Sequence, residues 1–109
     1  MAEPRRPSPE ISVVVPCWRS ETTIGRCIAA LRAQEAAPPF EVVVVDNGSH
    51  DGTCDEVERR FPRAVVVDTG ENLGFAEGCN RGIERARGAW ILTLNNDALA
   101  HPEIGRAHV

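Results

Sequence analysis

Lysine is missing altogether: all twelve basic residues among the 109 are arginine. Its absence removes the strand-end lysine that a receiver-type phosphoacceptor site needs. No G-x-x-x-x-G-K-[ST] run occurs and no G-x-G-x-x-G follows the first strand, so a P-loop and a dinucleotide fingerprint are both disfavoured. A G-x-S-x-G nucleophile elbow is absent too. No apolar run approaches the roughly eighteen residues of a membrane span. The four cysteines, Cys17, Cys27, Cys54 and Cys79, form no C-x-x-C pair, and none of the three histidines falls at a zinc spacing. Zinc and a disulfide framework are therefore disfavoured, and reduced thiols in a cytoplasmic protein are expected. A net charge of −4 argues against a nucleic-acid backbone as partner. The opening "MAEPRRPSPE" has no apolar centre, so it does not read as a secretory signal. Residues 1–9 are expected to be a disordered leader.

What is present fits one small soluble domain, with 42% hydrophobic and 26% charged residues. "EISVVVPCW" predicts a strand from Ile11 to Val15 that Pro16, unable to donate to a ladder, should end. Ile24, Cys27, Ile28 and Leu31 recur at helical spacing, with Ser20 as expected N-cap and "AAPP" as the stop before Phe40. "EVVVVD" then runs four β-branched residues without alternation, the pattern of a strand covered on both faces. Thr53-x-x-Glu56 has the form of a capping box, opening a helix with Val57 and Phe61 inward and Pro62 as its end. "AVVVD" predicts a third strand. A turn-rich loop follows, and then a helix with Phe75, Cys79, Ile83 and Ala86 on one face and Gly88 as C-terminal cap. "AWILTL" predicts the fourth strand. Alternation of strand and helix argues for a parallel sheet with right-handed crossovers.

Two of these strands end on acids, at Asp46 and in Asn95-Asn96-Asp97. The carboxyl edge of an open α/β sheet is where ligands bind. Asp-Asn-Gly also opens turns well, and the Asn-Asn-Asp run is itself rich in turn formers. The functional alternative is a site for a charged nucleotide ligand and a hard metal. Asp97 with the carbonyls of Asn95 or Asn96 offers the oxygen ligands that Mg2+ or Mn2+ prefers. An ionised Asp46 can accept a hydrogen bond from a base N–H. The Cys79 stripe is read as core, and His50 and His101 as solvated loop residues.

Four blocks in order carry a resemblance: "ISVVVPCWRSETTIGRCIAAL", "FEVVVVDNGSHDGT", "ENLGFAEGCNRGI" and "WILTLNNDA". Together they resemble the family 2 glycosyltransferases of the GT-A fold, over roughly Glu10 to Glu103, with the flavour of the rhamnosyltransferase-like branch. The resemblance implies a Rossmann-like three-layer α/β fold with a mainly parallel sheet, here its N-terminal half. It implies inverting transfer of a sugar from a nucleoside-diphosphate-sugar donor to a glycan or lipid-linked acceptor, in the cytoplasm or at the inner membrane face. Pro16 and Trp18 fall where the family's first loop lines the nucleotide pocket, and Arg19 replaces a more usual Asn. Asp46 matches the acid that reads the base, and Asn72 and Gly74 match a loop beside the donor. Asn95-Asn96-Asp97 occupies the D-x-D position, with Asp97 the metal ligand and Asn95 a neutral stand-in. The general base comes from a segment beyond that motif, so this chain is expected to lack it. The alternative is a nucleotide-sugar-binding module without catalysis. The tail Ile104–Val109 is what ATC GGA AGA GCA CAC GTC encodes, a widely used sequencing adapter followed in frame by a stop codon. It is expected to be non-native, with the native frame continuing past Glu103.

Overall fold

The computed structural model describes residues 9–33 and 39–94. The order is β1 (Ile11–Cys17), α1 (Ile24–Arg32), β2 (Phe40–Asp46), α2 (Thr53–Arg60), β3 (Val65–Asp68), α3 (Phe75–Arg85) and β4 (Trp90–Thr93). All pairings are parallel, in the spatial order β3-β2-β1-β4. The expected alternation and parallel sheet are observed.

Side-chain parity sorts the valines. Val13, Val15, Val42 and Val44 pack with Ile24, Cys27, Ile28 and Leu31 of α1 and Val57 of α2. Val14, Val43 and Val45 point to the opposite face with Val65 and Val67, where α3 lies. All four valines of β2 are fully buried, each contributing roughly 1.5 kcal/mol or more of transfer free energy. Three layers result, with β1 and β2 at the centre.

Several local expectations are corrected. β1 does not stop at Pro16 but continues to Cys17, with Pro16 in register with Val45. The Cys17 carbonyl accepts from Asn47 of the β2 side, whereas Glu10 and Val14 carbonyls accept from Trp90 and Leu94. Even-numbered residues of β1 thus face β4, so the N–H that Pro16 lacks lies on the β4 side, past the last pair Val14–Thr93. No ladder bond to β2 is lost. Ser20 is not the cap of α1. Its carbonyl takes the amides of Thr23 and Ile24, its hydroxyl donates to the Trp18 carbonyl, and Thr23 precedes the helix.

Thr53 is the first residue of α2 rather than its cap, so no capping box forms. Asp51 accepts from the Thr53 amide at 2.9 Å, while Glu56 reaches forward to Arg59 and Arg60. On α3 the buried residues are Gly78, Cys79 and Gly82, while Phe75 and Ile83 are exposed. Cys79 is core, as expected, but the helix approaches the sheet through glycine. A Cβ on Gly82 would collide with Val14 and stand 2.8 Å from Val45 Cγ2. The cap of α3 is Ala86, not Gly88. Gly88 serves the sheet instead: a Cβ there would lie 2.6 Å from the Ser12 amide nitrogen.

A polar knot closes the amino edge. Glu41, 9% exposed, accepts from the Ser12 hydroxyl at 2.6 Å and the Arg87 amide at 2.7 Å. Gly88 in turn donates to Ser12 Oγ at 2.8 Å. Burial pushes the Glu41 carboxyl up, but the bonds from Ser12 and Arg87 prevail and hold it below the usual range.

Candidate functional site

Three connections leave the carboxyl edge of the sheet together: Trp18–Thr23 after β1, Asn47–Gly52 after β2 and Thr69–Gly74 after β3. Asp46 ends β2 in register with Cys17 on one side and Asp68 on the other. Its carboxylate is 3% exposed. Oδ1 accepts from the Ser49 amide at 3.2 Å and from the Ser49 hydroxyl. Oδ2 accepts from the Cys54 thiol, with Sγ at 3.1 Å.

The same serine ties in the first loop, since the Arg19 amide donates to Ser49 Oγ at 2.6 Å. Arg19 has φ +52°, the left-handed region that Asn enters more readily than Arg. That is a physical reason for the family's usual Asn. Here Arg19 keeps the main-chain bond and lays its guanidinium 4.5 Å from the Trp18 ring centroid, a cation–π stack. Trp18 is 46% exposed beside the loops, while Pro16 is buried in the strand.

Asn47 joins the second loop to the third. Its Nδ2 donates to the Gly74 carbonyl at 3.2 Å, and Asn47 itself is buried against Gly78, where a Cβ would stand 2.7 Å from that nitrogen. Gly48 has φ +70°, and a Cβ there would lie 2.5 Å from Glu71 Cα. Only glycine permits both the turn and the approach. Thr69 bonds the Asp46 carbonyl through its amide at 3.0 Å. Asn72 Oδ1 accepts from the Gly74 amide at 2.9 Å, an Asx-type turn at the entry of α3. Pro16, Trp18, Asp46, Asn72 and Gly74 are thus gathered at one edge. Asn95 and Asp97, and the tail from Ile104, lie outside the described residues.

The sequence alone assigns no role to Asn47, Ser49, Cys54 or Thr69. Asp46-x-x-Ser49 is a local signal, the side-chain-to-backbone turn of an Asx motif. The Asn47–Gly74 bond spans 27 residues and has no local signal.

Burial, and then the negative charges of Asp46 and Asp51, push the Cys17 thiol up to about 12. Burial and the bond to Asp46 raise Cys54 as well. Both stay protonated at neutral pH, and no disulfide joins the cysteines. Ligand atoms of Asp46, Cys54 and Asp68 lie within 4.8 Å of one another. As a cradle for a hard cation this trio fits poorly, because one of its three ligands is a soft thiol where Mg2+ or Mn2+ prefers oxygen. Among the described residues no helix is long and apolar enough to cross a membrane.

Residues 12–106 match the family described as Glycosyl transferase family 2. The chain is 34% identical over 101 residues to the "Uncharacterized glycosyltransferase YfnE" of Bacillus subtilis, covering 90% of this chain and 26% of that protein. It superposes on S. aureus TarS 1-349 in complex with UDP-GlcNAc with a TM-score of 0.79 and 30% identity, over 90% of this chain and 29% of that one. The mannosyltransferase PcManGT from Pyrobaculum calidifontis, in complex with GDP-Man and Mn2+, gives 0.77 and 30% over 88% of this chain and 30% of that one. The chain therefore spans between about a quarter and a third of the length of these three. Sheet order, edge loops and this match agree: the chain belongs to glycosyl transferase family 2 and has the GT-A fold.

Proposed function

We propose that the protein carrying this chain transfers a sugar from a nucleoside-diphosphate-sugar donor to a glycan or lipid-linked acceptor, with inversion, as a member of the rhamnosyltransferase-like branch. The observation that carries the reading is the meeting of three loops at one sheet edge, bound to each other through Asp46, Ser49 and Asn47. Relatives of the same fold hold UDP-GlcNAc or GDP-Man.

In this reading Pro16 and Trp18 line the nucleotide pocket, and Asn72 and Gly74 border the donor. Asp46 accepts from a base N–H. Its Oδ2 suits that role, since it accepts the weak S–H donor of Cys54 and a carboxylate oxygen can accept a second bond. A divalent ion, Mg2+ or Mn2+, would take Asp97 as a ligand, with Asn95 at the first position of the D-x-D-like run, and would supply charge neutralisation for the departing diphosphate. Deprotonation of the acceptor hydroxyl is the work of a base beyond this chain.

Calorimetry with UDP and dTDP, with and without Mn2+, tests the site. Metal-dependent binding, abolished in Asp97→Ala and weakened in Asp46→Ala, is expected, with no sugar transfer by the 109 residues alone. Binding indifferent to both substitutions sinks the donor site, and turnover by this chain sinks the missing base.

A further inference from the structure

Each helix returns the chain from the carboxyl edge to the amino edge of the sheet. The C-terminal ends of α1 and α2 therefore lie at the edge opposite the loops described above. Between them is a groove of about 230 Å³ lined by Arg32, Arg60, Phe61, Pro62 and Arg63.

Arg60 is held from three directions, one of them the first turn of α1. Its Nη1 is 3.1 Å from Glu56 Oε1, and its guanidinium lies 5.3 Å from the Phe61 ring centroid. It also rests on α1 at Gly25, where any Cβ would collide with Nη1. Among the described residues neither Arg32 nor Arg63 forms an ion pair. The helix dipole accounts for cations in the last turns of α1 and α2, where Arg32 and Arg60 stand. It does not account for Arg63, which lies beyond α2, or for the apolar wall of Phe61 and Pro62. Three arginines thus line the groove, and among the described residues the one carboxylate paired with any of them is that of Glu56, which Arg59 shares, in a chain of net charge −4.

We propose that this groove is a binding site for a phosphate group, separate from the nucleotide-sugar site at the other edge. Guanidinium forks match phosphate oxygens in pairs. Arg60 is positioned in advance, Arg32 and Arg63 supply unspent donors, and Phe61 with Pro62 packs against the organic part of the ligand. Two sources carry this chemistry, the headgroup of an anionic lipid and a soluble phosphate or diphosphate.

The test uses the 109-residue chain in two arms. NMR follows backbone amides during titration with inorganic pyrophosphate. Co-sedimentation compares vesicles of phosphatidylcholine alone with vesicles that also contain phosphatidylglycerol. Expected is saturable binding in at least one arm, with pyrophosphate shifts centred on Phe61 and Arg63. Arg32→Gln or Arg63→Gln should weaken it about tenfold or more, the loss of one charge-assisted bond. Arg26→Gln, exposed on α1 outside the groove, should change nothing. Both arginines of the groove that are replaced are exposed, and circular dichroism confirms that the variants fold. Pyrophosphate binding alone identifies a soluble ligand, and vesicle binding alone a headgroup. No saturable binding in either arm, shifts centred on the carboxyl-edge loops, or equal loss in all three variants overturns the proposal.

Discussion

The Cys54 thiol donates to Asp46 Oδ2 with Sγ at 3.1 Å, while Ser49 occupies Oδ1 through its amide and hydroxyl. Cys54 lies in the first turn of α2, so the carboxylate that ends β2 is oriented by the helix that follows it. Solvent has little part, because Asp46 is 3% exposed. Loop, helix and candidate ligand site are coupled through one side chain.

Asp46→Ala strands the Ser49 and Cys54 donors in a buried place, and the expected cost is about 1–3 kcal/mol of stability. Cys54→Ser keeps a donor toward Asp46 and should cost less than Cys54→Val, which removes it. Urea unfolding midpoints check both claims. An Asp46→Ala midpoint equal to wild type would show that the carboxylate does not organise the loop.

Alkaline pH should destabilise the fold through Cys17. The folded thiol titrates at about 12 against an ordinary 9.0, so burial favours its neutral form. A raised folded value means that the contribution is complete below the unfolded pKa and lost as pH rises toward the folded one. Between these limits this thiol should cost up to about 1.4 kcal/mol per pH unit. Cys17→Ala should flatten the decline in stability measured by urea unfolding across that window. An unchanged slope would exclude Cys17 as its source.

Gly82→Ala sets two effects against each other. Helix propensity returns about 1 kcal/mol. The added methyl meets Val14 and Val45, and such overpacking costs about 1–3 kcal/mol. Net destabilisation is expected, whereas the same change at an exposed helical position stabilises. A higher melting temperature for the variant would mean that α3 does not pack through its glycines.

Acid should loosen the amino edge through Glu41. Its folded pKa lies below the ordinary 4.5 because Ser12 and Arg87 bonds outweigh burial. A depressed value contributes stability that is present above 4.5 and lost as pH falls through the folded pKa. Glu41→Gln should therefore lower stability at neutral pH and narrow its gap to wild type in acid. A gap that stays constant from neutral pH to below 4.5 would contradict the assignment.

Local chemistry alone determined the order of elements, the parallel sheet, the doubly covered valine strand and the position of Asp46 at its end. These follow from β-branching, helical spacing and turn residues, all of which act over a few positions. The blocks that identify the family are likewise contiguous, so they are legible without coordinates.

Tertiary structure decided what lies between distant segments. Pro16 stays in β1 because the parity of its neighbours turns its missing N–H toward β4. The buried face of α3 keeps Cys79 but turns away from Phe75 and Ile83, since Gly82 packs on Val14 and Val45 and Gly78 on Asn47, and glycine carries no hydrophobic signal. Asn47 meets Gly74, Arg19 meets Ser49, and Ser12 meets Glu41 across 27 to 30 residues. A hydrogen bond depends on distance in space and not along the chain, so only the folded sheet could bring these partners together.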